Sequence, residues 1–113
     1  MSDCLFCKMV SGDIKPDVVY EDDQVLAFRD IRPQAKVHVL VIPKQHIATL
    51  DDFPVEETDL GSALLRAVGQ VASIEGLVSG YRTVINCRED GGQEVYHLHL
   101  HVLGGRRLSW PPG

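Results

Sequence analysis

Residues 96–105 read YHLHLHVLGG, and three of the chain's five histidines stand here at strict two-residue spacing with an aliphatic residue in each gap. A β-strand sends successive side chains to opposite faces. Read as a strand, the run puts His97, His99 and His101 on one face and Leu98, Leu100 and Val102 on the other. A helix would scatter the imidazoles around its circumference. The strict alternation, ended by Gly104-Gly105, is the pattern of a half-buried strand. Its apolar set anchors in a core while three titratable rings, each roughly 6–7 Å from the next, occupy the opposite face.

Working outward, 113 residues give room for one hydrophobic core, so the chain is read as a single domain, 1–113. The formal charge of -5 leaves no broad basic surface for nucleic acid or an anionic membrane, although one nucleotide could still bind locally. No apolar run approaches a membrane span, and MSDCLFCKMVSGDIK lacks the basic start and apolar stretch of a secretion signal. The expected compartment is the cytoplasm, where Cys4, Cys7 and Cys87 are expected to be reduced.

The rest of the chain alternates between periods. Residues 4–10 suit a short helix stopped by Ser11-Gly12; DVVYED (17–22) and QVLAFRDI (24–31) suit two strands around a turn at Asp22-Asp23. KVHVLVIP (36–43) suits a third that Pro43 closes. From Pro54 to Glu75, Leu60, Ala63, Leu64, Ala67, Val68, Val71 and Ala72 recur at helical spacing, with Pro54 suited to the first turn and Gly76 to the stop. YRTVINC (81–87) is a fourth strand, REDGGQE (88–94) a polar loop, and VYHLHLHVL (95–103) the fifth strand. The expected class is α+β, a mostly antiparallel sheet packed on one long helix.

Three readings of the histidine face compete: a solvated sheet surface, a metal site completed by Glu94 or Asp90, and nucleophilic catalysis by one imidazole whose neighbours set its tautomer. The surrounding sequence discriminates between them. HLHLHVLGG resembles the histidine triad (HIT) signature, and VYEDDQVLAFRDIRPQAKVHVLVIPKQHI, GYRTVINCREDGGQEVYHLHLHVLGG and the terminal WPPG are similar to its Hint branch, of bacterial type. That branch consists of purine nucleotide-binding proteins.

The resemblance implies a nucleotidyl-histidine mechanism in which His99 attacks the α-phosphorus of an adenylate or guanylate derivative and water then cleaves the adduct. Neutral imidazole is nucleophilic near neutral pH, so the residue suits the task. By the same resemblance His101 contacts phosphate and helps protonate a leaving amine, His38 supports the triad, and Asn86, Gly92, Gln93 and Val95 contact phosphate. Asp30 matches the carboxylate that accepts ribose hydroxyls; Phe6, Ile14, Phe28, Ile31 and Leu40 match the purine walls, with core packing the competing reading for the apolar ones. Where many eukaryotic members carry serine after GGQ, this chain has Glu94. A carboxylate pointing inward would repel phosphate, so either it turns outward or phosphate handling differs.

CLFC (4–7) is a Cys-x-x-Cys, open to zinc, redox and coincidental readings on spacing alone. The resemblance to bacterial members implies a structural zinc on Cys4, Cys7, His46 and His97, with no cofactor required for catalysis. It also implies a homodimer, pairing through the long helix and fourth strand into one ten-stranded sheet, with RRLSWPPG (106–113) carrying Trp110 toward the neighbour's site. The implied activity is hydrolysis of the P–N bond of purine nucleoside phosphoramidates, with the mixed anhydride of aminoacyl-adenylates a second candidate bond. Alternatives are a dinucleoside polyphosphate hydrolase of the Fhit type, a nucleotidyl transferase, or a binding module with incidental catalysis. The tail after the triad, GG where those enzyme relatives often have PR, points away from the first two.

Overall fold

The computed structural model describes residues 3–113. The chain runs α1 (Leu5–Ser11), β1 (Val18–Glu21), β2 (Val25–Arg29), β3 (Val37–Pro43), a single 3-10 turn (Leu50–Asp52), α2 (Thr58–Ile74), β4 (Tyr81–Val84), α3 (Arg88–Gly91) and β5 (Leu100–Gly104). The strands form one sheet in the order β1-β2-β3-β5-β4, every neighbouring pair antiparallel. The expected class, a five-stranded antiparallel sheet with one long helix, is the observed one.

Two apolar layers form because β2 and β3 are apolar on both faces. Val25 and Ala27 of β2, Val39 and Val41 of β3, and Leu98, Leu100 and Val102 pack against Leu60, Ala63, Leu64, Ala67, Val68 and Val71 of α2. The alternate residues, Leu26, Phe28, Leu40 and Ile42, face the other way and pack with Phe6 of α1. Register sets His101 opposite Leu40 and His38 opposite Leu103, so the polar face of β5 shares its side of the sheet with this second, smaller core. α1 covers only part of that side. The remainder is open for chemistry.

Several boundaries differ from expectation for identifiable reasons. The long helix starts at Thr58 and not at Pro54, because residues 54–57 form a separate turn closed by the bond from Glu57 N–H to the Pro54 carbonyl, 3.0 Å. It ends as expected at Gly76, whose φ of 72° permits the paired bonds Gly76 N–H to Ser73 O and Leu77 N–H to Ala72 O. Part of the polar loop, Arg88–Gly91, coils into the short α3, and the fourth strand stops at Val84.

The fifth strand is shorter still. Its ladder begins at Leu100, so of the three alternating histidines only His101 sits in paired strand. Continuing the register would set Leu98 opposite Pro43, which has no N–H to donate, and the Leu98 N–H instead bonds the Ile47 carbonyl at 2.7 Å. The alternation of faces nevertheless persists through residues 97–99: Leu98 joins the α2 core while His97 and His99 turn away from it.

Leu98 is thus the apolar anchor of a segment that no ladder holds. Leu98→Ala is expected to lower unfolding free energy by about 2–5 kcal/mol, whereas Val55→Ala, at a 92 % exposed turn position, is expected to change it by less than about 0.5 kcal/mol. Urea denaturation of both variants checks the contrast.

Candidate functional site

Hydrogen-bond partners fix the histidine tautomers. The His99 Nδ1 lies 2.8 Å from the His97 carbonyl, which can only accept, so Nδ1 carries the proton and the lone pair of a neutral His99 is on Nε2. A second chain starts at the Gln34 backbone, whose N–H donates to His38 Nδ1 at 3.0 Å. His38 therefore carries its proton on Nε2 and donates to His101 Nδ1 at 2.9 Å. That leaves the proton of neutral His101 on Nε2, a buried atom with no partner among the described residues. Such an N–H is costly to leave unpaired, and it marks a place where something else accepts.

These groups line a cleft of about 360 Å3: His38, His99 and His101 form the part termed its floor, Asp30, Arg32 and Gln34 come from the β2–β3 connection, and Asn86, Gly92 and Glu94 from the β4–β5 connection. A larger hollow, about 690 Å3, is lined by residues 76–82 and 105–108 but contains no histidine, cysteine or carboxylate. The histidine cleft, although smaller, is the one with chemistry.

Electrostatics favour the neutral form of His38 and His101. Burial, then the nearby His99 and His38 rings, push His101 down to about 4 against the opposing pull of Asp30. Burial likewise lowers His38, with Asp30, 3.5 Å from its Nε2, pulling the other way. Asp30 is itself oriented, because its Oδ1 accepts the Arg32 N–H at 2.8 Å.

The second cluster joins three elements. His97 donates from Nε2 to the Pro43 carbonyl at 2.8 Å, which turns its Nδ1 lone pair toward Cys4, Cys7 and His46. Bonds of about 2.3 Å to sulfur and 2.0–2.1 Å to nitrogen in a tetrahedral zinc site imply donor separations of about 3.3 Å for N–N and 3.5 Å for N–S. Here His46 Nδ1 and His97 Nδ1 are 3.2 Å apart, and the sulfur–nitrogen separations are 3.3 Å for Cys7–His46, 3.4 Å for Cys4–His97 and 3.6 Å for Cys7–His97. Two thiols and two imidazole lone pairs at these distances fit a tetrahedral cation. Burial and the neighbouring Cys4 raise the Cys7 thiol, so a cation bound here would displace protons. Asp30, His38 and His101 also converge, but the two imidazoles there already bond each other.

The remaining expected contacts divide. Asn86 and Gly92 line the cleft. Gln93 does not offer its amide to a ligand: Oε1 accepts the Arg88 N–H at 2.9 Å and Nε2 donates to the Ala48 and Val95 carbonyls at 2.8 and 3.1 Å. Its side chain is a buried strut of the loop. Val95 packs against the second core, and Phe6, Phe28 and Leu40 are buried in it, so core packing accounts for them. Ile14 is half-buried next to α1, while Ile31 is 90 % exposed. Trp110, 80 % exposed, is absent from the lining of this chain's own cleft. Sequence reasoning missed Arg32 and the backbone roles of Gln34 and Pro43. Backbone partners leave no residue-type signal, but Arg32 follows Asp30 by one position and was open to notice.

Comparison with known proteins finds the HIT domain family matching residues 11–108. A 14 kDa zinc-binding protein of Brassica juncea is 50% identical over 113 residues, covering 98% of this chain and 100% of its own. The crystal structure of a HIT family hydrolase from Legionella pneumophila superposes with a TM-score of 0.95 at 54% identity, covering 98% of this chain and 100% of that one. A histidine triad nucleotide-binding protein from Candida albicans has a TM-score of 0.83 at 31% identity, with 98% and 85% covered.

Neutral His101 has a pH signature. An unfolded histidine titrates near 6.5, so between there and about 4 the unfolded chain binds the proton that folded His101 refuses. Stability contributed by neutral His101 is complete above that window and lost as pH falls through it, by at most about 3 kcal/mol. His101 imidazole signals in an NMR titration are expected to stay neutral at pH 5.5; a midpoint at 6 or above contradicts the assignment.

Proposed function

Because the chain belongs to the HIT domain family, we propose that it acts as one HIT domain over 1–113, a purine nucleotide-binding hydrolase of the Hint type that cleaves nucleoside 5′-phosphoramidates. The observation that carries this reading is the pairing of tautomers: a free lone pair on His99 Nε2 beside an unpartnered N–H on His101 Nε2, at the floor of one cleft. One nitrogen is set to attack and the other to donate. A solvated histidine surface would need neither arrangement. The names of the Legionella and Candida relatives, a hydrolase and a nucleotide-binding protein, agree with it.

In the first half-reaction His99 Nε2 attacks the α-phosphorus, a P–N bond to the imidazole forms, and the P–N bond to the amine breaks with its electron pair on the departing nitrogen. The amine takes one proton from His101 Nε2–H as it leaves, and the attacking water restores that proton to His101 in the second half-reaction. The His101 Nε2–H donates a hydrogen bond to the phosphoryl group and steadies the developing charge, with Asn86 and the backbone at Gly92 as further donors. His38 holds His101 in the donating tautomer. In the second half-reaction water attacks the same phosphorus, releases the nucleoside monophosphate, frees His99 and returns the proton, so the cycle consumes only phosphoramidate and water. Asp30 receives the ribose hydroxyls, and Ile31, Ile14 and the edge of the Phe6–Phe28–Leu40 core flank the purine.

Zinc on Cys4, Cys7, His46 and His97 is the second part of the proposal, supported by the donor distances and by the name of the Brassica relative. Its chemistry would be structural: four protein ligands close a tetrahedral site and leave no position for substrate. In the cytoplasm, the compartment we assign, both thiols remain available as ligands. A homodimer through α2 and β4 is the third part. β4 is an edge strand, and Leu65, Ile74 and Tyr81 on these two elements are exposed. An uncovered edge with apolar neighbours suits pairing with a second copy, which would also give Trp110 a surface to pack on.

His99→Ala is expected to reduce turnover of adenosine phosphoramidate by at least about a thousandfold with the fold intact, and mass spectrometry of quenched wild type is expected to find the nucleotidyl adduct on His99. An adduct on His101, or full activity without His99, overturns the assignment. For the metal, about one zinc per chain is expected after purification without chelator, and Cys4→Ser is expected to lose it and to melt at lower temperature while activity falls less. Zinc-free wild type with the same melting temperature removes zinc from the account.

A further inference from the structure

The cleft holds one carboxylate to which the proposed mechanism gives no task. Asp30 is engaged by the Arg32 N–H and lies beside His38, whereas Glu94 forms no side-chain hydrogen bond or ion pair among the described residues. Glu94 nevertheless lines the cleft together with His99 and His101. Its position is not loose. Gly92 closes α3 in the left-handed conformation, Gln93 is pinned by three side-chain hydrogen bonds, and Val95 packs into the second core, so the backbone on both sides of Glu94 is fixed. With Gln93 and Val95 directed inward, Glu94 is the residue of this segment that stands outward on the wall.

The two connections differ in charge. The β2–β3 connection, assigned to the nucleoside, brings Asp30 with Arg32, while the β4–β5 connection, which enters from the other end of the strands, brings Asn86, Gly92 and Glu94, with the glutamate its only charge among the cleft residues. His38 and His101 add little to offset it, because burial holds both below the ordinary imidazole range. A group leaving phosphorus on that side therefore meets an uncompensated negative charge. A leaving group bearing further phosphates is repelled there, and one with a second ammonium is attracted.

We propose that Glu94 is a specificity-determining residue that selects amine leaving groups carrying an additional positive charge, such as diamines, and rejects anionic ones. This rests on the reading of the cleft as a nucleoside phosphoramidate site. It gives the glutamate a use beyond avoiding phosphate: it stands beside the phosphoryl group and addresses what is attached to it. A partly exposed pair of this kind is worth roughly three- to tenfold in relative affinity, and screening by salt diminishes it.

The test separates recognition from turnover. Binding is measured for two non-cleavable adenosine 5′-carbamates of similar size, one with a 4-aminobutyl group and one with a pentyl group, using wild type and Glu94→Gln, with melting temperature as the folding control. Hydrolysis of the two matching AMP phosphoramidates is followed in parallel. Wild type is expected to favour the aminobutyl compound by roughly three- to tenfold, with the preference shrinking at high salt, and Glu94→Gln is expected to abolish it. Equal affinities in wild type, or a preference that survives in a folded Glu94→Gln variant, overturns the proposal. Charge preference in the carbamates without cleavage of either phosphoramidate supports Glu94 as the selector and rejects the hydrolytic reading alone.

Discussion

The hydrogen bond from His99 Nδ1–H to the His97 carbonyl, 2.8 Å, is the contact on which the site depends. A carbonyl accepts and never donates, so this bond determines which ring nitrogen keeps a lone pair. It forms between two residues separated by one, in a segment outside the sheet ladder, and that is the physical sense of the shortened β5. The same stretch sends the Leu98 N–H to Ile47 and the His97 Nε2–H to Pro43. Three local bonds replace strand pairing there, and two of them orient imidazoles.

Metal cluster and cleft share this segment but face different tasks. His97 points Nδ1 at the thiols while its backbone carbonyl holds His99, so a single residue carries one role on its ring and another on its main chain. Phe6 reinforces the coupling, its ring edge-on to both His97 and His99 at centroid distances of 5.8 and 5.3 Å. Since Cys4 caps α1 and Phe6 lies within it, the helix that supplies thiols also braces His99. Neutrality of His101 follows from the same packing: a cleft built beside an apolar layer penalises imidazolium and keeps His101 as a donor without a formal charge.

Much of this was legible in the chain. Alternation in residues 96–105 located the two-faced segment, helical spacing located α2, and the resemblance to the HIT family, not spacing, named Cys4, Cys7, His46 and His97, which the structure brings together. Side-chain alternation survives where backbone pairing does not, which is why the faces were legible and the strand boundary was not. The bonds of Gln93 were not legible, because an amide beside glycines has the same appearance whether it serves a ligand or, as its side chain does here, backbone groups at Arg88, Val95 and the distant Ala48. The roles of Gln34 and Pro43 belong to backbone atoms that every residue or most residues possess. Glu94 was visible as a departure, and only the charge inventory of the cleft gave it a direction.

The sheet order carries a consequence for how the molecule is made. β5 is the last strand in the chain yet lies between β3 and β4, near the middle of the sheet. Until residues 97–104 emerge from the ribosome, one edge of β3, with its run of Val39, Leu40, Val41 and Ile42, has no partner and α2 has no complete surface to cover. Pairings between residues far apart in sequence are slow to form, and the unpaired edge is adhesive while it waits. Cys4 must likewise wait for His97, 93 residues later. β5 thus closes the sheet and completes the cleft after the other strands, so that a truncated product lacking it exposes an aggregation-prone apolar edge.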